Sequence, residues 1–166
     1  MKRLILVRHS KTEHYNFEVT DFERSLTNRG KSDAEIIAEQ LKSKGVVPDY
    51  FISSRAKRAQ QTTSIFADVM DFPKEKINTQ QFLYDGYTTS DFLNFIATVD
   101  NSYNTVIVFA HNPDIASLAS SFSNEEFYHF PTTATAVIDF DTDKWDRINA
   151  REGKVHLFLY PRIFKE

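Results

Sequence analysis

The segment near the N-terminus reads Leu-Ile-Leu-Val-Arg-His-Ser-Lys over residues 4–11, an apolar run that ends in charged and polar residues. Four consecutive apolar residues predict a strand that is buried on both faces, as the central strands of parallel sheets are. Residues 106–109 (Val-Ile-Val-Phe) and the shorter run at residues 50–52 (Tyr-Phe-Ile) repeat this pattern. The three segments therefore predict the central parallel strands of a sheet.

Segments with helical periodicity separate these strands. Apolar residues recur three or four positions apart in residues 27–44, 55–70 and 90–99, and a further helix is expected after Pro113. Strands that alternate with helices form βαβ units, which place helices on both faces of a parallel sheet. Residues 136–140 and 154–160 read as two strands with no helix between them, so we expect them to pair antiparallel at one edge. The predicted fold class is α/β, a three-layer αβα sandwich with a mostly parallel central sheet and an antiparallel edge strand, in one domain over residues 1–166.

The composition excludes several classes of function. The chain of 166 residues has 20 Lys and Arg against 23 Asp and Glu, and its net charge of −3 is too small for a general polyanion binder. Because it has no cysteine, disulfides, thiolate metal sites and thiol nucleophiles are excluded. No apolar run approaches the roughly 18 residues of a membrane span. We expect a cytoplasmic monomer that binds neither nucleic acid nor membrane.

Basic side chains and imidazoles follow the ends of all three predicted central strands. In chain order they are Arg8, His9, Lys11, Arg55, Lys57, Arg58 and His111. In an open α/β sheet, ligands bind outside the carboxyl ends of the strands, where the chain turns into the next helix. A chain of negative net charge that concentrates cations at this edge is predicted to bind an anion there.

Two predicted helix starts add to this expectation. Ser54 is expected to cap the second helix and to place Arg55 in its first turn, where the macrodipole disfavours each cation by about 0.3–1 kcal/mol unless an anion compensates. Asn112 and Pro113 read as an N-cap and first helical residue, so His111 would precede another helix N-terminus. Each feature has a simpler explanation when it is taken alone. The cations after Ser54 would lie on a solvated helix face, Asn112 and Pro113 would only cap a helix, and His111 would be a core histidine. Their convergence at one edge predicts a phosphate-sized anion.

These motifs together resemble the histidine phosphatase superfamily of phosphoglycerate mutase-like folds, and within it the small SixA-like phosphohistidine phosphatases. The similarity covers nearly the whole chain. It rests on Leu-Val-Arg-His-Ser-Lys at 6–11, Asp-Phe-Glu-Arg-Ser-Leu-Thr-Asn-Arg-Gly at 21–30, Ser-Ser-Arg-Ala-Lys-Arg-Ala-Gln-Gln-Thr at 53–62, Leu-Tyr at 83–84, His-Asn-Pro at 111–113 and Pro-Thr-Thr-Ala-Thr-Ala-Val at 131–137. The resemblance implies a phosphorylated histidine intermediate and no cofactor.

The resemblance also assigns catalytic roles. It makes His9 the nucleophile, Arg8 and Arg55 ligands of the phosphate, and His111 the second histidine. Planar guanidinium groups hold phosphate oxygens in bidentate fashion and stay charged at any physiological pH. This interpretation requires that two imidazoles and two guanidinium groups face one tetrahedral dianion.

Three further residues are expected to contribute to substrate binding. Arg24 corresponds to an arginine near the pocket entrance of relatives, and Lys11 adjoins the loop after the first strand. Ser10 stands where larger relatives have glycine, and its small side chain would still let the backbone approach the phosphate. The remaining histidines, His14, His129 and His156, have no metal-ligand spacing, so no metal site is predicted.

The sequence departs from the superfamily's phosphomonoesterases at the general acid. Those enzymes usually supply Glu or Asp, whereas residues 79–82 read Thr-Gln-Gln-Phe. Asp85 and Asp21 are possible substitutes, although a turn residue and a capping residue describe them better. An imidazole leaves phosphorus more readily than an alkoxide does, so a site without an acid is better suited to P–N cleavage.

The resemblance therefore implies a metal-independent phosphatase that acts on phosphohistidine in a protein through a covalent intermediate at His9. Two alternatives stay open at this point. The same nucleophile could hydrolyse a small phosphate ester, or the chain could be a phosphate-binding or phosphoprotein-binding module without turnover.

Overall fold

A computed structural model describes residues 1–165, so Glu166, the last residue of the predicted domain, lies outside the described residues. One sheet of six strands has the order β3-β2-β4-β1-β5-β6. The strands are β1 Lys2–Arg8, β2 Tyr50–Ser54, β3 Asn78–Gln80, β4 Thr105–Ala110, β5 Thr135–Phe140 and β6 Lys154–Leu159. The first four are mutually parallel, β5 pairs antiparallel with β1, and β6 pairs antiparallel with β5. The predicted mostly parallel sheet with an antiparallel edge is confirmed.

Helices cover both faces of the sheet, as the alternating pattern predicts. They are α1 Asn28–Ser43, α2 Lys57–Val69, α3 Phe82–Asp85, α4 Thr89–Ile96 and α5 Asp114–Phe122. Side chains of β1 alternate between the two faces: Leu4 and Leu6 belong to the core under α4 and α5, whereas Ile5 and Val7 belong to the core under α1 and α2. None of the helices within residues 1–165 is long and apolar enough to cross a membrane.

Two short elements, β3 and α3, were not predicted. The strand β3 has three residues, Asn78–Gln80, none of them apolar and all of them half-buried. The helix α3 is a single turn. Periodicity needs several residues to be recognisable, so a three-residue polar strand at the sheet edge leaves no pattern in the sequence.

The N-terminus of α1 packs tightly against the loop that follows β1. Thr27 caps the helix by accepting the amide hydrogen of Gly30 at 2.9 Å. A Cβ atom at position 30 would overlap the backbone carbonyl of Lys11. Glycine therefore permits the close approach of α1 that fixes the loop carrying Arg8 and His9.

The starts of α2 and α5 differ from the prediction. Ser54 is not the N-cap of α2: the cap is Ala56, and the Ser54 hydroxyl accepts the Ala56 amide at 3.2 Å in the turn before the helix. At α5 the cap is Pro113, because the Asn112 amide group donates to the carbonyl of Phe130 at 2.8 Å. Both side chains thus engage groups outside the helix that they were expected to cap.

Candidate active site

Three adjacent strands, β2, β4 and β1, deliver the polar residues expected at the carboxyl edge of the sheet. His9 follows β1, Ser54 ends β2 and His111 follows β4. The rings of His9 and His111 lie 5.1 Å apart between centroids. The structure therefore brings the two predicted histidines together.

His9 is held rigidly and nearly removed from solvent. Its residue is 6% exposed, and its amide donates to the carbonyl of Ala110 at 3.0 Å. Its Nδ1 lies 2.7 Å from the carbonyl of Ser10, which can only accept, so Nδ1 carries the hydrogen. This tautomer leaves a lone pair on Nε2. The imidazole thus presents a nucleophilic nitrogen at the edge of the sheet.

Burial keeps His9 neutral. Desolvation lowers its pKa well below 6.5, the hydrogen bond to the Ser10 carbonyl opposes this, and the neighbouring His111, Arg58 and Arg8 lower the pKa further. A neutral imidazole is the form that attacks phosphorus.

Arg58 is the guanidinium nearest to His9. It is the second residue of α2 and is 5% exposed. Its Nε lies 3.4 Å from His9 Nε2, and its terminal nitrogens donate to Asp21, to the backbone carbonyl at 2.7 Å and to the carboxylate at 3.1 Å. Arg58 thus places a fixed positive charge against the unprotonated nitrogen of His9, which accepts from the Arg58 Nε.

The expectation for Arg55 is wrong. Arg55 is exposed and lines a groove that neither His9, His111 nor Arg58 lines. The physical reason is the late start of α2: the Ser54–Ala56 turn precedes the helix, so Arg55 lies on the outside of this turn while Arg58 faces inward. The second guanidinium of the site therefore comes from Arg58.

The sequence does contain a signal for Arg58. The buried residues of α2 are Arg58, Ala59, Thr62, Thr63, Phe66 and Ala67, which recur at helical spacing. Counting one turn back from Thr62 along this buried stripe reaches position 58. Position 55 lies one turn before Ala59 on the same stripe, so the spacing indicates Arg58 without excluding Arg55, and the late start of α2 decides between them.

Arg8 lies at the end of β1 with its guanidinium half-buried in the site. One terminal nitrogen donates to the carbonyl of Phe130 at 3.2 Å, whereas the buried Nε has no hydrogen-bond partner among residues 1–165. Burial and the nearby charge of Arg58 lower the pKa of Arg8 from 12.5. Two guanidinium groups held close together in this way favour an anion between them.

Ser54 is the hydrogen-bond partner of His111 Nε2. The Ser54 hydroxyl accepts the Ala56 amide and lies 2.8 Å from His111 Nε2, so it can donate its own hydrogen to this nitrogen. In this arrangement His111 carries its hydrogen on Nδ1, which is buried and has no partner within the described chain. His111 thus offers a free N–H donor 5.1 Å, ring to ring, from His9.

His111 is also neutral. Burial and the charge of Arg58 lower its pKa from 6.5 to about 4, and the carboxylate of Asp21 opposes them. At neutral pH His111 is therefore a neutral donor, whose pKa a bound dianion would raise.

Asp21 links the basic residues of the site, and sequence reasoning did not assign it this position. Its carboxylate accepts from Arg58 at 3.1 Å, from Arg24 at 3.0 Å and from the Tyr84 hydroxyl at 2.8 Å. The Tyr84 ring in turn packs edge-on against His111, with centroids 5.5 Å apart. Asp21 therefore orients Arg58 from one side while Tyr84 supports His111 from the other.

Neither proposed substitute for the general acid is poised to donate a proton. Burial would raise the pKa of Asp21, but the hydrogen bond from Tyr84 and the charge of Arg58 lower it to about 2. Asp21 is consequently a carboxylate at neutral pH. Asp85 is exposed and accepts from Gln81 at 3.1 Å.

The three weaker candidates lie around the site in different ways. Arg24 is at its edge, ion-paired with Asp21 at 2.7 Å. The side chain of Lys11 is exposed, while its carbonyl accepts from Thr27. Ser10 is fully buried, and its amide donates to Thr62 at 3.0 Å while its hydroxyl pairs with Thr133. The amide and the hydroxyl of Ser10 are therefore both used within the protein, and its part in substrate binding stays a prediction.

Comparisons with known proteins agree with this geometry. The family model of the histidine phosphatase superfamily (branch 1) matches residues 4–81, which include His9, Asp21 and Arg58. The SixA structure from Agrobacterium tumefaciens is 26% identical, covers 96% of this chain and 98% of its own, and superposes with a TM-score of 0.81. The resemblance to the histidine phosphatase superfamily is confirmed. A second superfamily structure, SixA complexed with tungstate, is 21% identical, covers 98% and 99% of the two chains, has a TM-score of 0.84, and shows the same fold.

Other superfamily relatives differ in length. An uncharacterized chloroplastic protein of Arabidopsis thaliana is 27% identical over 159 residues, which are 92% of this chain and 72% of that protein. The mitochondrial serine/threonine-protein phosphatase Pgam5 of Drosophila melanogaster is 35% identical over 85 residues, 51% of this chain but only 29% of Pgam5. The similarity to Pgam5 thus covers less than a third of that protein.

The two neutral histidines predict a pH-dependent stability. Above pH 6.5 the two imidazoles are neutral in the folded and in the unfolded protein. Below pH 6.5 they bind protons in the unfolded chain, but in the folded protein they stay neutral until the pH falls below their lowered pKa values. A shift of the His111 pKa to about 4 corresponds to a loss of about 2 kcal/mol in the free energy of unfolding between pH 7 and pH 5, and His9 adds to it. Urea denaturation at the two pH values measures this loss.

His111→Asn should reduce the pH dependence, and His156→Asn, at an exposed position on β6, is the matched control. Equal pH dependence in all three proteins would contradict the assignment of neutral buried imidazoles.

Replacement of Ser54 tests its role as a positioning residue. In Ser54→Ala, His111 Nε2 loses the hydroxyl that fixes its tautomer, so we expect a drop in kcat/KM of about 2- to 10-fold, the worth of one hydrogen bond. The ¹⁵N shifts of the His111 ring should report the Nδ1–H tautomer in the wild type and a mixture in the variant. Ser54→Thr, which keeps the hydroxyl, should retain the wild-type spectrum, and an unchanged spectrum in Ser54→Ala would refute the assignment.

Proposed function

We propose that this protein hydrolyses phosphohistidine on a protein substrate through a phosphohistidine intermediate at His9. The observation that carries the proposal is a neutral, buried His9 whose Nδ1–H is bound to Ser10 and whose Nε2 lone pair faces Arg58. Around this nitrogen stand three groups that bind anions: the guanidinium groups of Arg8 and Arg58, and the free N–H of His111.

In the first step, Nε2 of His9 attacks phosphorus in line with the leaving group. The P–Nε2 bond forms while the P–N bond of the substrate breaks, and the substrate imidazole, protonated on its other ring nitrogen, leaves as a neutral ring. The buried Arg8 Nε and His111 Nδ1 lack partners within residues 1–165, so phosphoryl oxygens would satisfy them. Fixed donors of this kind stabilise the charge that spreads over the equatorial oxygens in the transition state.

In the second step, water attacks the phosphorus on His9. The P–Nε2 bond breaks, inorganic phosphate is released and the imidazole returns to its neutral form. The hydrogen bond from Nδ1 to the Ser10 carbonyl, at 2.7 Å, holds the ring in place throughout both steps. Proximity and fixed charge supply most of the rate in phosphoryl transfer, and the site provides both.

Two features favour phosphohistidine over a phosphate ester. Asp21, with its pKa at about 2, cannot protonate an alkoxide at neutral pH. An imidazole needs less help to leave. The side chain of Asp21 is also 44% exposed at the edge of the site, which leaves room there for the surface of a phosphoprotein.

The proposal is tested by comparing three substrates: a phosphohistidine protein, phosphoramidate and para-nitrophenyl phosphate. We expect higher kcat/KM for the two P–N substrates, unchanged by a chelator. Preference for the ester would favour a phosphomonoesterase, and no turnover of any substrate would favour a binding module.

A further inference from the structure

A groove with basic side chains runs beside the candidate active site, between α1 and α2. It has a volume of about 570 Å³, and we call it the basic groove. The side chains that line it include Phe22, Glu23, Lys31, Arg55, Lys57 and Ile65. It contains Arg55 and Lys57, the two cations from the strand β2 end that the site itself does not use.

The charge of the basic groove contrasts with that of the chain. Lys31, Arg55 and Lys57 have no carboxylate within 4.0 Å among residues 1–165, whereas Arg3, Arg24 and Arg58 are each paired with an aspartate. Glu23 is the one acidic residue lining the groove in the described chain. A chain of net charge −3 thus holds an excess of two positive charges along one cleft.

The basic groove is separated from the site by two aromatic side chains. Phe22 lines it and packs against Tyr84 with ring centroids 4.9 Å apart, and Tyr84 in turn contacts His111 at 5.5 Å. Arg58, which faces His9, follows Arg55 by three positions, with the start of α2 between them. A segment that leaves the site would therefore cross the Tyr84–Phe22 pair to reach the groove.

We propose that the basic groove docks an acidic segment of the phosphoprotein whose histidine enters the site. The carboxylates of this segment pair with Arg55, Lys57 and Lys31, and its apolar atoms contact the half-buried side chains of Phe22 and Ile65. Complementary charge of this kind raises the rate of encounter and selects among partners. The substrate class named here rests on the proposed function.

The test uses two synthetic peptides of equal length, each with one histidine phosphorylated by phosphoramidate. Four glutamates flank the histidine in one and four glutamines in the other. We expect the wild type to cleave the acidic peptide with at least about tenfold higher kcat/KM. Arg55→Glu/Lys57→Glu should abolish this preference and leave hydrolysis of phosphoramidate within about twofold. Lys144→Glu/Lys154→Glu, with the same change in net charge at exposed positions elsewhere, should behave as the wild type.

Binding measured without turnover separates this proposal from the proposed function. Fluorescence anisotropy with the unphosphorylated acidic peptide should show binding that weakens about tenfold in Arg55→Glu/Lys57→Glu and falls with salt, since exposed charges are screened beyond about 10 Å at 0.1 M. Such binding with no turnover of any P–N substrate would overturn the function and keep the docking surface.

Three results would overturn the docking surface itself. They are equal cleavage of both peptides, equal binding by wild type and double variant, and tighter binding of a single-stranded RNA of the same charge than of the acidic peptide.

Discussion

Replacing His9 by alanine is expected to abolish hydrolysis of every phosphorylated substrate, with a loss in kcat/KM of about 10⁴-fold or more. The reason is chemical: Nε2 of His9 is the unprotonated ring nitrogen that faces Arg58 and accepts from its Nε. Without it no P–N bond to the enzyme can form. Steady-state assays with phosphoramidate and a phosphohistidine protein measure the loss.

His9 is buried, so the variant must be shown to be folded. His9→Asn retains a polar group of similar reach and should be as inactive as the alanine variant, while its thermal unfolding checks the fold. His156→Ala removes an exposed histidine of β6 and should keep wild-type rates. Turnover by either His9 variant within tenfold of wild type would remove the covalent mechanism.

The second large effect concerns two arginines three positions apart. Arg58→Ala should lower kcat/KM for phosphoramidate by about 10²- to 10³-fold, the range for loss of a fixed donor to transition-state charge. Arg55→Ala should change it by less than about twofold, because Arg55 is exposed and lines the basic groove. Both variants are assayed in parallel with phosphoramidate, because this small substrate does not reach the basic groove.

Arg58→Lys separates the effect of the positive charge from that of the planar guanidinium group. It keeps the positive charge but cannot contact both the Asp21 carbonyl and carboxylate as the planar group does at 2.7 and 3.1 Å, so only part of the activity should return. A severe loss in Arg55→Ala with near-normal Arg58→Ala would restore the assignment made from the sequence and contradict the geometry described above.

The layered fold was predictable because its signals are long and regular. The apolar run of residues 4–7 lies within the seven-residue strand β1, and the stripes of α1 and α2 extend over 16 and 13 residues. Such patterns persist even if one residue is misread. The antiparallel edge was predictable from the missing helix between β5 and β6. The three-residue β3 carried no comparable pattern.

Within the site, the sequence indicated which strand ends converge, and so it placed His9, Arg8 and His111 together. It failed for Arg55 because the start of α2 depends on a two-residue turn in which the Ser54 hydroxyl accepts the Ala56 amide. A shift of two residues at a helix start decides which arginine points inward. Boundaries of elements are the least reliable part of any sequence-based prediction.

Other features of the site depend on contacts between distant segments. Asp21 meets Tyr84 across 63 positions, and Ser54 meets His111 across 57. No local sequence pattern predicts these pairs. They nevertheless influence the pKa of the Asp21 carboxylate and the tautomer of the His111 imidazole. The sequence could name Asp21 as a candidate acid, and only its surroundings show that it stays ionised at neutral pH.

The measurement that tests the central claim most directly is the capture of the phosphorylated enzyme. The protein is mixed with a ³²P-labelled phosphohistidine protein, quenched in alkali within the first turnover and digested for mass spectrometry. We predict one labelled site, His9, with the phosphoryl group on Nε2, stable to alkali and labile to acid. Label on any other residue, or rapid release of phosphate with no label on the enzyme at any time, would contradict this account.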